Sequence, residues 1–296
     1  MKTSTFSVIA AAALSSVVSA VHVGFSVGSN NPDGTLRNQT QWEEEFQLIK
    51  KWGGNSARLF GTSGGVLAAA APAAKAANIT LIAGLWALPP DHFQDEKAAL
   101  LQSIQDNGHE MLVGISVGSE DLYRGDVPVD TLIEYVNEVR AEVRALGADT
   151  WVGVTDTWTS WVDANNYGLI DACDMIITDA YPFWQGVDID AGKDTLYAAF
   201  NATKAASKAA TNGPIPRYVW IGETGWPTSG PSNRSAVPSV ENAQKYYQDT
   251  WCSLIKDNVD FYWYTTNDSP YLTGVEAAFG IADSASNLKY NITCPK

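Results

Sequence analysis

The sequence predicts an α/β fold, a single (β/α)8 TIM barrel. Short runs rich in β-branched and aromatic residues alternate with longer segments of helical periodicity, which is the pattern of repeated βα units on a parallel sheet. Eight such runs with crossover helices favour a closed barrel over the alternative, an open doubly wound sheet. Residues 21–296 match the ~250 residues typical of one such barrel, so we expect one catalytic domain there.

The predicted elements alternate along the whole of this range. The eight predicted strands are His22–Val27, Ser56–Gly61, Thr80–Ala87, Met111–Gly118, Trp151–Thr157, Met175–Tyr181, Tyr218–Gly222 and Phe261–Thr265. The predicted helices are Trp42–Trp52, Val66–Ala77, Lys97–Asp106, Leu132–Leu146, Thr195–Ala210 and Val240–Asp257. Within the Ala-rich Val66–Ala77, Pro72 could begin a helix or kink one. Around Leu132–Leu146, Asp130 is a candidate N-cap and Gly147 follows the helix end.

The first 20 residues predict a secretory signal peptide. Lys2 precedes the apolar run FSVIAAAALSSVV, which ends at the small-residue triplet Val18-Ser19-Ala20. The alternative is an N-terminal membrane anchor, but the run is shorter than the ~20 residues that a span requires, and no polar stop follows. We therefore expect cleavage after Ala20, a protein secreted to the extracellular space or cell wall, and no membrane span.

Composition limits the partners that the protein can bind. The formal net charge is -14, from 19 basic and 33 acidic residues. Because phosphate binding requires clustered Lys and Arg, this balance argues against nucleic acid. The chain has 11 Trp, which suggests platforms for sugar rings, although ordinary core packing is the alternative for many of them.

Cysteine and histidine usage gives two further expectations. Three cysteines in an oxidising compartment form at most one pair, for which we choose Cys252 and Cys294. Cys173 precedes an apolar strand and is expected to be a buried free thiol. The three histidines are isolated and show no HxH or HExxH spacing, so we expect neither a metal nor a cofactor. Five sequons are candidate glycosylation sites: Asn38, Asn78, Asn201, Asn233 and Asn291.

Two of the predicted strands lead directly to a glutamate, the fourth to Glu120 and the seventh to Glu223. In a barrel of this type the chemistry lies at the C-terminal ends of the strands. A carboxylate at the end of an apolar strand is costly to bury unless it is paired or functional, and a pair of solvated loop residues is the alternative. The two strand ends therefore indicate an acidic site.

Paired carboxyl groups are what glycosidic cleavage requires. One carboxylic acid protonates the leaving oxygen, and one carboxylate meets the positive charge that develops at the anomeric carbon. A separation of about 5 to 5.5 Å predicts retention of configuration, whereas about 6.5 to 9.5 Å admits water and predicts inversion. The residues alone leave both outcomes open.

The segments VGSEDLYR and IGETGWPTSG resemble the acid/base and nucleophile motifs of glycoside hydrolase family 17, above all those of its fungal cell-wall members. The resemblance extends from NNPDGT through EKAAL, DTW, FWQG and PSVENAQKYY to LKY. It implies a retaining barrel enzyme that acts on β-1,3-glucan, with Glu120 as acid/base and Glu223 as nucleophile. Arg58 resembles the family's strand-end cation, which would keep the nucleophile ionised, with a structural ion pair as the alternative. Tyr181 resembles the tyrosine whose hydroxyl contacts the nucleophile.

Aromatic residues at or just beyond the strand ends are candidates for stacking on glucose: Trp226, Trp184, Phe183, Tyr123 and Trp86. Trp226 and Trp184 are the strongest of these, and core packing is the alternative for the others. We expect the partner to be a β-1,3-glucan polysaccharide or oligosaccharide and the protein to be a monomer.

The sequence departs from the family pattern after the eighth strand. Fungal relatives carry an acidic stretch resembling FEAFDE, where this chain has YWYTTNDSP from Tyr262 to Pro270. The expected activity is that of an endo-1,3-β-glucanase. A β-1,3-glucanosyltransferase is the alternative, because the same glycosyl-enzyme serves both reactions. A more distant alternative is a non-catalytic glucan-binding wall protein, which would be expected to lack one of the two carboxylates.

Overall fold

The computed structural model describes residues 21–295, and its core is a closed barrel of parallel strands. The strands are β1 (Val23–Val27), β2 (Ser56–Leu59), β3 (Thr80–Leu85), β4 (Leu112–Ser119), β5 (Trp151–Thr157), β6 (Met175–Asp179), β7 (Tyr218–Glu223) and β8 (Phe261–Tyr264). They follow one another around the barrel in sequence order, and β8 pairs with β1. The predicted (β/α)8 barrel is confirmed, and the open sheet is wrong. The predicted signal peptide, residues 1–20, lies outside the described residues.

Helices connect the strands. They are α1 (Gln39–Lys51), α2 (Val66–Ala77), α3 (Pro90–Asn107), α4 (Asp121–Arg124), α5 (Val129–Ala145), α6 (Trp158–Trp161), α7 (Tyr167–Ala172), α8 (Pro182–Gln185), α9 (Gly192–Ala210) and α10 (Val240–Lys256). Short 3-10 helices add Ala164–Asn166, Ile189–Ala191 and Gly274–Ala278. None of the helices in residues 21–295 is both long enough and apolar enough to cross a bilayer.

The predicted first residues of the helices differ more from the observed ones than the predicted strand bounds do. Helix α3 begins at Pro90, and Pro128 occupies the N-cap of α5. Proline suits these positions because its fixed φ fits the first helical turn and its missing N–H would have no partner there. The prediction that Asp130 caps α5 is wrong, since Asp130 lies in the first turn, where its charge faces the positive end of the helix dipole. Gly147 follows α5 with a φ of 80°, as expected for a residue past a helix end.

Apolar side chains fill the barrel interior. A cluster separate from the main core is contributed by strands β3, β6, β7 and β8: Ile82, Met175, Ile177, Trp220 and Tyr262. A Cβ atom at Gly114 would lie 2.3 Å from Cε of Met175, so the glycine leaves the space that the methionine occupies. Outside the barrel, α2 spans the predicted Ala-rich segment with Pro72 inside it. The packed interior gives the strand ends a rigid base.

A disulfide joins Cys252 on α10 to Cys294, with the two Cα atoms 5.7 Å apart. It links the segment after β8 to the helix layer across a sequence separation of 42 residues. Cys173 is buried and has no disulfide partner. The C-terminal segment, which forms part of the groove described next, is thereby tied to the barrel.

Candidate active site

The C-terminal ends of the strands open into a groove of about 880 Å³. Glu120, which follows β4 directly, and Glu223, the last residue of β7, both line it. The volume lies within the range of clefts that bind small ligands. The barrel therefore brings the two predicted carboxyl groups to one site.

Glu223 is held from two sides and is largely buried. Nη1 of Arg58 donates to its Oε1 at 2.5 Å, and the hydroxyl of Tyr181 donates to its Oε2 at 2.6 Å. Burial, followed by the charge of Glu223, raises the pKa of Tyr181 well above its usual range, so the hydroxyl keeps its proton and remains a donor. These two contacts fix the orientation of both carboxylate oxygens, and such donors stabilise a carboxylate charge.

Arg58 connects the two strand ends. Its side chain is buried, and Nη2 donates to Oγ of Ser119 at 3.1 Å while Nη1 lies 3.3 Å from Oγ of Ser26. Ser119 is the residue before Glu120, so one guanidinium contacts Glu223 and the end of β4 together. The ion pair considered as an alternative role for Arg58 is thus formed with Glu223 itself.

Glu120 has a different environment. Its side chain is partly exposed, and Nη1 of Arg124 lies 3.4 Å from its Oε2. Burial, and then the charge of Glu223, raises the pKa of Glu120 to about 7, while Arg124 opposes the shift. A carboxyl group with a pKa near neutrality carries its proton in mildly acidic solution and can act as a general acid.

A third carboxyl group, Asp179, ends β6 and lines the same groove. It is buried, and neither of its oxygens has a hydrogen-bond partner. Burial, and then the charge of Glu223, raises the pKa of Asp179 well above its usual range. Burial and the proximity of a second carboxyl group thus both favour the protonated form of Asp179.

Comparison with known proteins places the chain in a family. A model of the BtgE/BtgC glycoside hydrolase domain matches residues 24–280, which include both Glu120 and Glu223. The chain belongs to this glycoside hydrolase family. Among its relatives, a probable glucan endo-1,3-beta-glucosidase of Emericella nidulans is 37% identical over 93% of this chain, which spans 63% of that relative's length. A glucan 1,3-beta-glucosidase of Saccharomyces cerevisiae is 31% identical over 99% of both chains.

Solved structures agree with this assignment. The glycoside hydrolase family 17 beta-1,3-glucanosyltransferase from Rhizomucor miehei superposes with a TM-score of 0.80 at 30% identity, over 91% of this chain and 97% of that one. An active-site mutant of a beta-1,3-glucanosyltransferase from the same organism, solved in complex with laminaritriose, has the same TM-score. The expected membership of glycoside hydrolase family 17 is confirmed.

In this member of the family, three of the five predicted stacking residues line the groove. Trp86, Tyr123 and Trp184 are 39%, 64% and 44% exposed. The predictions for Trp226 and Phe183 are wrong, since both side chains are buried and neither lines the groove. Trp226 donates Nε1 to a backbone carbonyl, and Phe183 packs against both Trp226 and Trp184 with ring centroids 5.5 and 5.0 Å away. Phe183 therefore lies between Trp226 and Trp184 as part of the packed layer, and neither buried ring can stack on a sugar.

The groove also contains aromatic residues that the sequence analysis missed: Phe60, Trp158, Tyr264, Tyr271 and Phe279. Phe60 and Trp158 directly follow β2 and β5, and Tyr264 ends β8. The strand-end criterion that identified Glu120 and Glu223 applies equally to these three and to Asp179. Tyr271 and Phe279 lie further along the chain, where no periodicity marks them.

The segment after β8, which departs from the family pattern, forms one wall of the groove. Thr265 and Tyr271 line it, and the hydroxyl of Thr265 donates to a backbone carbonyl of β1 at 2.6 Å. Asp268 accepts a hydrogen bond from Nζ of Lys289 at 2.6 Å. Glu276 reaches the groove from a 3-10 helix, and burial, followed by the charge of Glu223, raises its pKa. A carboxyl group is therefore present on this wall, at a position that the motif comparison did not predict.

Proposed function

We propose that this protein is a retaining endo-1,3-β-glucanase that cleaves internal bonds of cell-wall glucan. One observation carries the proposal: Glu223, held by Arg58 and Tyr181, shares a groove with Glu120, whose pKa is about 7. The similarity to a probable glucan endo-1,3-beta-glucosidase and to a glucan 1,3-beta-glucosidase supports the substrate class. Residues 21–296 are the catalytic domain in this proposal.

The first step forms a glycosyl-enzyme. Glu120 transfers its proton to the glycosidic oxygen, and the carboxylate of Glu223 attacks the anomeric carbon. The bond between that carbon and the leaving oxygen breaks as the ester bond to Glu223 forms, and the leaving sugar departs with a hydroxyl group. Arg58 and Tyr181 orient the attacking carboxylate, so that little reorganisation is needed during the reaction.

The second step releases the sugar. Glu120, now ionised, accepts a proton from a water molecule whose oxygen attacks the anomeric carbon and displaces Glu223. Two inversions at one carbon give net retention. The raised pKa of Glu120 suits both of its roles, because a group that titrates near the working pH can donate and accept a proton in turn.

The groove offers a neutral sugar chain suitable contacts. Trp86, Tyr123 and Trp184 expose aromatic surface along it, and the apolar faces of glucose stack on such rings. The net charge of -14 does not disfavour an uncharged polysaccharide. We propose these three residues as the substrate-binding aromatics.

The proposed place of action is outside the cell or in the cell wall, and the proposed state is a monomer. The signal-peptide pattern of residues 1–20 supports secretion. An extracellular position gives the enzyme access to wall glucan.

A second candidate function is transfer of the glycosyl group to another glucan chain. The similarity to the glucanosyltransferase from Rhizomucor miehei, at a TM-score of 0.80, favours it. A sugar hydroxyl would replace water in the second step, and the same residues would act. Incubation with a β-1,3-gluco-oligosaccharide, followed by mass analysis of the products, separates the reactions: products longer than the substrate indicate transfer, and only shorter ones indicate hydrolysis.

The proposal is tested by release of reducing sugar from laminarin. We expect Glu223→Gln to lose activity by roughly 1,000-fold or more, as for other catalytic groups. Glu276→Gln is the matched control, because it removes another carboxylate that lines the groove, and we expect it to lose less than about tenfold. Equal activity of Glu223→Gln and wild type would refute the nucleophile, and a wild type that binds laminarin without cleaving it would indicate a binding protein.

A further inference from the structure

The backbone at Glu120 adopts a conformation that its residue type seldom takes. Its φ is 58° and its ψ is 28°, in the left-handed helical region. For a residue with a Cβ atom this conformation costs about 1–2 kcal/mol, and it persists only where neighbouring contacts stabilise it. The contacts that hold this turn therefore determine where the carboxyl group of Glu120 lies.

Strand β5 supplies several of those contacts, and others come from within the turn, where Asp121 accepts from the N–H of Ser119 and Arg124 donates to the carbonyl of Ser119. The N–H of Glu120 donates to the carbonyl of Thr155 at 2.9 Å, and the register between β4 and β5 shifts between Ser116 and Ser119 to permit it. One residue further along β5, the carboxylate of Asp156 accepts from the N–H of Leu122 at 2.8 Å and from the N–H of Tyr123 at 3.3 Å. The first turn of α4, which follows Glu120, is thus anchored to β5.

The environment of Asp156 allows its carboxylate to anchor the turn after Glu120. It is fully buried, and Oδ1 also accepts from the N–H of Thr157 at 2.8 Å, which fixes the carboxylate relative to its own strand. Burial raises the pKa of Asp156 above its usual range, and the hydrogen bonds from Ser160, Leu122, Thr157 and Tyr123 only partly oppose this shift. A carboxylate at the N-terminal turn of a helix stabilises the unpaired N–H groups there.

We propose that Asp156 is a positioning residue for the acid/base: its carboxylate accepts from the N–H groups of Leu122 and Tyr123, and thereby holds the turn of residues 120–123 that carries Glu120. This inference rests on the proposed role of Glu120. Asp156 acts through Glu120 and through the placement of Tyr123, a groove-lining aromatic residue, and it does not itself line the groove.

The charged groups with the largest effects on Glu120 come from four elements, and Asp179 on β6 interacts with it as well. Glu223 on β7 and Asp156 on β5 raise its pKa, whereas Arg124 on α4 and Arg58 on β2 lower it, and burial has the largest effect. Removing the charge of Asp156 therefore lowers the pKa of Glu120. The activity that depends on protonated Glu120 is then lost at a lower pH than in the wild type.

The test compares two substrates that differ in their need for an acid. A laminari-oligosaccharide has a poor leaving group that must be protonated. In 2,4-dinitrophenyl β-laminaribioside the leaving group is 2,4-dinitrophenolate, which departs without protonation. We expect Asp156→Ala to lower kcat/KM for the oligosaccharide by about 100-fold or more, and that for the dinitrophenyl substrate by less than about tenfold. Asp156→Asn, which keeps the side-chain volume and one acceptor oxygen, should move the alkaline limb of the oligosaccharide pH profile to lower pH.

Glu96→Gln is the matched control. Glu96 is a buried carboxylate that also holds a loop, since it accepts from the N–H groups of Thr62 and Ser63. It is not among the groups with the largest effects on the pKa of Glu120. We expect this variant to keep the wild-type pH profile and to affect both substrates equally.

Equal losses on both substrates by Asp156→Ala, or an unmoved alkaline limb in Asp156→Asn, would overturn the inference. Thermal unfolding of each variant identifies any loss that arises from misfolding. Glu120→Ala distinguishes this failure from failure of the proposed function. If Glu120→Ala also reduces kcat/KM for both substrates equally, the acid/base assignment is wrong. If it leaves kcat/KM for the dinitrophenyl substrate largely unchanged, only the role of Asp156 is refuted.

Discussion

Glu120 and Glu223 have the same side-chain chemistry, but their environments in the groove differ because different neighbours contact them. Glu223 receives hydrogen bonds from Arg58 and Tyr181 on both of its oxygens. Glu120 lies partly buried near the negative charge of Glu223, with Arg124 as the nearer cation. The raised pKa of Glu120 suits proton donation, and the two hydrogen bonds that orient Glu223 suit attack on the sugar.

The pH dependence of the reaction follows from the raised pKa of Glu120. Only the protonated form can donate to the leaving oxygen, so we expect kcat/KM for laminarin to decline as the pH rises through about 7. The decline should be about tenfold per pH unit well above that value, because the protonated fraction falls in this proportion. A pH profile of initial rates measures it, and a rate that kept rising to pH 9 would contradict the assignment.

Asp179 shows a limit of reasoning from single residues. Its position at the end of β6 follows from the same pattern that identified Glu120 and Glu223. Its raised pKa does not follow from that pattern, because the shift depends on burial and on the nearby charge of Glu223, which only the closed barrel brings together. The sequence indicates which strand ends carry acids, whereas the ionisation of each acid requires the three-dimensional arrangement.

At the scale of elements, a tryptophan on α8 lines the groove, whereas a tryptophan just after β7 packs in the core. Trp184 on α8 is 44% exposed in the groove, whereas Trp226, just after β7, is buried beside Phe183. We expect Trp184→Ala to raise KM for laminarin severalfold and to leave the melting temperature nearly unchanged, since the exposed ring provides stacking surface but little core packing.

Trp226→Ala should behave in the opposite way. Removal of a buried Trp costs about 3–5 kcal/mol of unfolding free energy, so thermal unfolding should occur at a clearly lower temperature. KM, measured below the unfolding transition, should change less than it does in Trp184→Ala. A larger KM effect at Trp226 than at Trp184 would show that the two rings have been assigned the wrong roles.

The elements themselves were largely predictable. The strands were recognisable because apolar β-branched runs are short and bounded by turn residues. The starts of α3 and α5 were not, because Pro90 and Pro128 act there through backbone geometry and not through hydrophobic periodicity. The orientation of Phe183 and Trp226 was also hidden, since a ring at a strand end can turn toward the groove or toward the core.

At the scale of the whole molecule, the barrel explains why residues far apart in sequence form one site. Arg58 on β2 and Glu223 on β7 are 165 residues apart and yet form an ion pair at 2.5 Å. The alternation of strands and helices predicted the closed barrel, and the common edge of its strands predicted the meeting of the carboxyl groups. The wall formed by Tyr271 and Glu276 was not predictable, because it depends on the path of an irregular segment.

The central claim is that Glu223 becomes bonded to the sugar while Glu120 serves as acid and then base. Treatment with 2-deoxy-2-fluoro-β-laminaribiosyl fluoride slows the second step more than the first and allows the glycosyl-enzyme to accumulate. We expect the anomeric fluoride to leave and peptide mass spectrometry to find one 2-deoxy-2-fluorolaminaribiosyl adduct, on Glu223. An adduct on Glu120, Asp179 or Glu276, or hydrolysis of an unmodified substrate with inverted anomeric configuration, would contradict the account.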